Sequence, residues 1–294
     1  MPSAVLPSRA VIRVSGKEAQ GFLHNLVTTD IDGLPEREAR PGALLTPQGK
    51  ILFDFMIWRD IGQGGASDEG GDAFLIETDL AQRDGLIRRL TMYKLRAAVT
   101  IAADAEGVTV FWGEHFSDGT IIDGAFAKAG IAVSRSAGTA ADALTSETYA
   151  DAYRALRIAA GLAVSGDDFA LQDAFPHDVL LDRTGGLSFR KGCYVGQEVV
   201  SRMQHRGTAR RRVVSVSATS PLPAPGTDIL AGEKPVGTLG SVSGTNGLAI
   251  VRTDRVGDAM SSGTPLTVGG LAVTLSLPSW SGLEFPSASD AAEP

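Results

Sequence analysis

One run of eight residues concentrates side chains that could do chemistry: Lys191-Gly192-Cys193-Tyr194-Val195-Gly196-Gln197-Glu198. Cys193 is the chain's single cysteine, so its thiol is not committed to an intramolecular disulfide. Gly192 and Gly196 bracket the Cys-Tyr pair, and residues 195–204 then take on a helical pattern. Val195, Val199, Val200 and Met203 form an apolar stripe, with Glu198 and Arg202 four apart on another face. A thiol at the start of that helix, beside Arg190 and Lys191, is expected to lose its proton more readily, because the helix dipole and nearby cations both favour thiolate. A small buried Cys at a tight turn is the bland alternative.

The charge around the run is lopsided. The chain has a formal net charge of −7, yet Arg183 to Arg212 holds Arg183, Arg190, Lys191, Arg202, Arg206, Arg210, Arg211 and Arg212 against Glu198 alone. Such a local positive field attracts anionic ligands, whereas the overall balance disfavours a general nucleic-acid binder. Other constellations fail. His24, His115, His177 and His205 are scattered without metal-ligand spacing, so no metal is expected. Ser188-Phe189-Arg190-Lys191 matches S-x-x-K without its companion motifs. The Gly-rich stretch 62–72 is acidic and fits no phosphate loop, so it reads as a hairpin tip.

The elements that must position the run are legible in outline. A strand is expected at 10–14, then a helix after Ser15 with Ala19, Phe22, Leu23 and Leu26 on one face, closed by Thr28-Thr29-Asp30. Residues 43–61 read as two strands around the turn Pro47-Gln48-Gly49-Lys50. A strand at 74–77, a helix over about 79–90 capped by Asp79, strands at 97–103 and 108–112, and a helix from Tyr149 to Gly161 follow. From about 208 the texture changes to short β-branched runs (213–218, 236–242, 247–252, 265–277) with Pro and Gly between them and no helical period. That texture predicts a small β-barrel or sandwich. The expected organisation is an α+β region over 1–207, built of two intertwined subdomains, a barrel over 208–285, and a frayed tail over 286–294.

The run K-G-C-Y-x-G-Q-E, followed by Arg202 and then Arg206-Gly207, resembles the signature of the folate-binding YgfZ-like family. These proteins are paralogues of the glycine-cleavage T-protein, an aminomethyltransferase, and assist iron–sulfur cluster assembly or repair. Val14-Ser15-Gly16 through Thr28-Thr29-Asp30, Leu45-Thr46-Pro47-Gln48-Gly49-Lys50-Ile51, Arg157-Ile158 with Gly161, and Pro176 to Asp182 are similar to other stretches of the family. The resemblance implies a T-protein-like α+β ring of three subdomains with a small C-terminal β-barrel. It also implies tetrahydrofolate as cofactor and iron–sulfur enzymes or assembly proteins as partners. Cys193 is then the functional thiol. Asp178 takes the place of the T-protein Glu that holds the pterin, and Arg202, with Arg190 and Arg206 as alternates, suits the folate tail carboxylates. Lys191, Gly192, Tyr194, Gly196, Gln197 and Glu198 complete the signature.

One departure bears on catalysis. T-proteins carry two adjacent acids where this chain has Phe53-Asp54, which argues against aminomethyl transfer. A folate-dependent one-carbon transferase and an RNA- or protein-interaction module are the rival readings, RNA being disfavoured by the net charge. No apolar run reaches about 18 residues. Met1 to Ala10 shows neither a secretion signal nor an Arg-rich transit pattern. The expectation is therefore a cytoplasmic protein without a membrane partner.

Overall fold

The computed structural model describes residues 2–61, 71–113, 120–139, 147–207 and 209–286. Most of the Gly-rich stretch 62–72 and nearly all of the 286–294 tail lie outside the described residues. The chain divides into two compact units that interleave along the sequence: 1–150 with 181–199, and 151–180 with 200–294.

The first unit is built on a closed barrel. Its elements are β1 (Ser3–Ser15), α1 (Ala19–His24), β2 (Glu38–Leu45), β3 (Ile51–Arg59), β4 (Ala73–Asp79), α2 (Arg83–Lys94), β5 (Thr100–Trp112), β6 (Ile121–Asp123), α3 (Gly124–Lys128) and β7 (Val133–Ala137). The strand order is β1-β4-β3-β2-β6-β7-β5, closed by antiparallel pairing of β5 with β1. Side chains alternate across a strand. Ile12 and Val14 of β1 and Phe74 and Ile76 of β4 therefore share a cluster with Leu23 of α1 and Leu86 and Leu90 of α2. Arg9 and Glu77 fall on the opposite face and pair with each other at 2.9 Å.

One helix and one strand expectation change in this unit. α2 starts four residues later than expected, at Arg83. Asp79 ends β4 and accepts from Ala81 N–H at 2.8 Å, a turn bond that imitates an N-cap. The strand expectations at 97–103 and 108–112 merge into β5, a single long element whose register on β1 shifts twice.

The second unit contains most of α4 (Glu147–Ala160), which ends as expected at Gly161 with φ +72°. α5 (Leu181–Thr184) and the first residues of α6 (Gln197–His205) belong to the first unit, and the rest of α6 to the second. Beyond 208 come β8 (Arg211–Ser217), β9 (Asp228–Ala231), β10 (Lys234–Ser243), β11 (Asn246–Arg252), α7 (Thr253–Ser262), β12 (Leu266–Val268), β13 (Leu271–Ala272) and β14 (Thr274–Ser276). The strands form one seven-stranded sheet in the order β13-β12-β9-β10-β11-β8-β14. α7 corrects the expectation of a helix-free C-terminal region. It buries only Thr253, Val256, Gly257 and Ala259, so its apolar stripe is too small to show as a period. The core here is Val214, Val216, Ile229, Leu239, Val251, Val256 and Val268 with their neighbours. Among the described residues no helix is long and apolar enough to cross a membrane.

Candidate functional site

Three segments singled out in the sequence converge in the first unit. The Thr28-Thr29-Asp30 turn is bound on one side to β2, through Thr28 N–H to Ala43 O at 3.0 Å and Ala43 N–H to Thr28 Oγ1 at 2.9 Å. On the other side Thr28 Oγ1 donates to Gly186 O at 2.6 Å, and Ser188 N–H donates to Thr28 O at 3.0 Å. The chain entering the signature is thus fixed to this turn before Lys191 is reached.

Lys191 then reaches back into the same turn. Its side chain is buried, and its Nζ donates to His24 O, to Val27 O at 2.6 Å and to Thr29 O at 3.1 Å. An ammonium has three donors, and all three have partners. Burial pushes the Lys191 ammonium down to about 8, against the upward pull of Asp30 and Asp32. The Tyr194 ring lies 5.2 Å from the same Nζ, within cation–π range. Tyr194 is buried, its hydroxyl has no hydrogen-bond partner among the described residues, and burial pushes its phenol up.

The third fixing point is Gly196. Its φ is +80°, and a Cβ there would stand 2.5 Å from Thr46 O and 3.1 Å from Gly49 Cα. Gly49, itself at φ +79°, meets Gly196 O and Val199 from the other side. The 46–50 turn, closed by Thr46 N–H to Lys50 O at 2.8 Å, is therefore packed backbone to backbone against the signature. Between these anchors Gly192 and Cys193 are exposed, and Cys193 is a free thiol.

The structure alters the argument for that thiol. α6 begins at Gln197, so Cys193 precedes the first helical residue by four positions, outside the turn over which a helix dipole acts. The Lys191 charge is spent on backbone carbonyls. Of the expected neighbouring cations, only Arg190 remains exposed.

Asp178, Arg202 and Arg206 belong to the second unit, whereas Arg190 belongs to the first. Within the second unit one hydrogen bond links the Asp178 corner to α6. His177, fully buried, contacts Gln204 Oε1 through Nε2 at 3.1 Å, joining the Asp178 corner to the end of α6, which carries exposed Arg202 and is followed by exposed Arg206. Arg212 Nη1 donates to His177 O at 2.6 Å, and Val213 N–H to Asp178 O at 2.7 Å, which ties the corner to β8. The Asp178 carboxylate is 2% exposed. Its Oδ2 accepts from Phe175 N–H at 3.1 Å and lies 3.6 Å from Arg211 Nε. Burial pushes it up to about 6, against the Phe175 bond and the charges of Arg211 and Arg212. Glu198 and Arg202 are both exposed.

Sequence reasoning missed a buried ionic group in the first unit. Arg135 bridges Glu77 and Asp123, all three nearly inaccessible. Asp123 also caps α3 by accepting from Ala125 and Phe126 N–H. Burial pushes the Glu77 carboxyl up, but Arg135 and Arg9 overcome this and hold it below the usual range. These residues are remote in sequence, and only barrel register brings them together. Phe53, at the acid position, packs against the first cluster with its ring close to Gly85. Among the described residues no group of three or more His, Cys, Asp or Glu could hold a metal ion.

Comparison with known proteins agrees with this architecture. Residues 210–283 match the family model described as CAF17, C-terminal beta-barrel domain. The chain is 31% identical over 241 residues to the mitochondrial iron–sulfur cluster assembly factor IBA57 homologue of Chaetomium globosum, covering 72% of this chain and 55% of that one. It is 29% identical over 285 residues to mitochondrial IBA57 of Mus musculus, covering 85% and 77%. The chain thus spans little more than half the length of the Chaetomium protein. The glycine cleavage system aminomethyltransferase T of Bartonella henselae superposes with a TM-score of 0.65 at 16% identity, over 94% of this chain and 86% of that one. The likeness establishes a T-protein-like fold, and the relatives bear out the YgfZ-like resemblance carried by residues 191–198. They overturn the cytoplasmic expectation, since these relatives are named as mitochondrial. A lone cysteine and the lack of a long apolar run are equally compatible with both reducing compartments, so composition could not separate them.

Proposed function

We propose that this chain, a YgfZ-like relative of the IBA57 factors, is an accessory factor in iron–sulfur cluster assembly or repair, with Cys193 as its working thiol. The observation that carries the reading is the contrast within one loop. Cys193 is exposed and free, while Lys191, Tyr194 and Gly196 around it are buried or pressed against backbone. A presented, well-supported sulfur suits transient contact with a cluster as cargo, because thiolate is the usual protein ligand of such iron. Its partners in this reading are iron–sulfur enzymes or assembly proteins. Rescue of cluster-enzyme activity in a strain lacking this protein tests the role. A folded Cys193→Ala variant is expected to fail, and full rescue by it removes the thiol from the mechanism.

The same reading includes tetrahydrofolate, held on the second unit by Asp178 at the pterin and by Arg202, with Arg206, at the tail. Bound folate would supply a one-carbon acceptor or a structural plug; the residues themselves bind and orient it. Calorimetry with tetrahydrofolate should show weakened binding for Arg202→Ala and unchanged binding for Cys193→Ala. Equal losses would mean that thiol and folate roles are not separate. The rival one-carbon transferase reading is disfavoured because Phe53 is committed to packing. Turnover of an aminomethyl-loaded carrier protein would revive it.

A further inference from the structure

The end of α2 is occupied by a residue that serves neither the backbone nor the core. Leu95 is the C-cap, at φ 47° and ψ −104°, a conformation that a leucine adopts only under strain. At the ends of α4 and α7 the chain meets the same demand for positive φ with glycine, Gly161 at +72° and Gly263 at +68°. At α2 it places a leucine and leaves it 88% exposed, next to Met92 at 67%. Leu86 and Leu90 of the same helix are fully buried, so the exposed apolar surface is confined to this one end.

Cations surround it. Residues 83–96 hold Arg83, Arg88, Arg89, Lys94 and Arg96 against Asp84. Arg83 is engaged by Asp84 at 3.1 Å and Glu106 at 2.9 Å. The other four take part in no ion pair among the described residues, and Arg88 and Arg96 are exposed. Lys94 and Arg96 complement the negative end of the helix dipole. Arg88 and Arg89, mid-helix, gain nothing from it.

We infer that the Met92–Leu95 end of α2 is a docking surface for an acidic polypeptide segment carrying an apolar anchor. Charge complementarity selects the acidic partner: four cations with no ion pair among the described residues are concentrated here on a chain of net charge −7. The apolar pair selects a polypeptide. RNA bases are read mainly by stacking on aromatic side chains, whereas the exposed pair here is aliphatic, and two side chains at one helix end are too few to seat the helix in a lipid interface, which needs a long apolar face. The inference does not depend on the role of Cys193.

Fluorescence anisotropy of the full chain tests it. The probe is a labelled peptide with two leucines one helical turn apart among glutamates, and the comparison is its serine counterpart. The leucine peptide should bind at least about tenfold more tightly, and added salt should weaken it. Leu95→Gly should raise the thermal midpoint by relieving strain while cutting affinity about tenfold or more. Arg88→Glu should cut it comparably with the fold intact. No binding by the unmodified chain, or binding untouched by both variants, overturns the proposal. So does variant-sensitive binding of phosphatidylcholine–cardiolipin vesicles or single-stranded RNA in place of the peptide.

Discussion

Lys191 in the first unit and Asp178 in the second were both picked out as members of one functional constellation, and both are buried ionisable groups. Burial displaces each toward neutrality, Lys191 down to about 8 and Asp178 up to about 6. Their surroundings differ in kind. Lys191 donates to the carbonyls of His24, Val27 and Thr29 beneath the Tyr194 ring, and works as a clamp on the loop that presents Cys193. Asp178 has one oxygen bound to Phe175 N–H and a longer contact to Arg211, in a unit that also carries exposed arginines. A motif residue can therefore support chemistry without taking part in it, and the signature divides into a holder and what is held.

Lys191→Met breaks the clamp and should have the largest effect. Three carbonyls would be left without their donor at roughly 1–2 kcal/mol each, a loss of about 4 kcal/mol in urea unfolding at pH 7. The pH dependence carries a second signature. With a folded pKa of about 8, below the ordinary 10.5, the unfolded chain binds more protons between these values, so stability rises with pH across that window. Lys191→Met should abolish this rise. A flat wild-type profile over the window would place the ammonium in a more solvated setting than the structure gives it.

Asp178→Asn probes the other half of the comparison. A carboxyl at about 6 in the folded state and 3.8 otherwise binds more protons when folded. Its contribution therefore falls as pH rises from about 4 to 6, by about 3 kcal/mol. The variant should remove that fall and be no less stable than wild type at pH 7, measured by urea midpoints at both ends of the window. A variant much weaker at pH 7 would show that the charged carboxylate stabilises the corner through Arg211.

Gly196→Ala should cost about 2 kcal/mol, since it combines a positive φ with a Cβ against Thr46 O. Unlike Lys191→Met it leaves the clamp intact and loosens only the contact with the 46–50 turn. Thermal unfolding would show the loss, and a neutral outcome would mean that the turn can withdraw.

What could be read from the sequence follows how local the physics is. The turn at 46–50, the end of α4 at Gly161 and most strands were legible because turn chemistry and side-chain period are written within a few neighbouring residues. α2 was displaced because Asp79 makes a turn bond that imitates a cap. α7 was missed because its buried stripe is four small residues long. The bridge from Arg135 to Glu77 and Asp123 has no local signal, since strand register alone assembles it. Within the candidate site the residue types were visible, but the direction of each side chain was not. Lys191 was expected to bias the thiol by charge, and it instead faces inward to the turn at 24–29.

Cys193→Ser should produce the smallest change in stability. Its side chain is exposed, and no hydrogen bond described for the loop depends on the sulfur. A one-atom surface substitution away from packing ordinarily stays within about 0.5 kcal/mol. The same variant should lose all reaction with a thiol reagent, because this is the chain's single cysteine. In the unmodified protein the reagent should react without prior unfolding. Lys191→Met provides the link between the two measurements. If the clamp positions the thiol, that variant should change the labelling rate in the folded protein even though Cys193 is untouched. An unchanged rate would separate presentation of the sulfur from the clamp and leave Tyr194 and Gly196 to account for it.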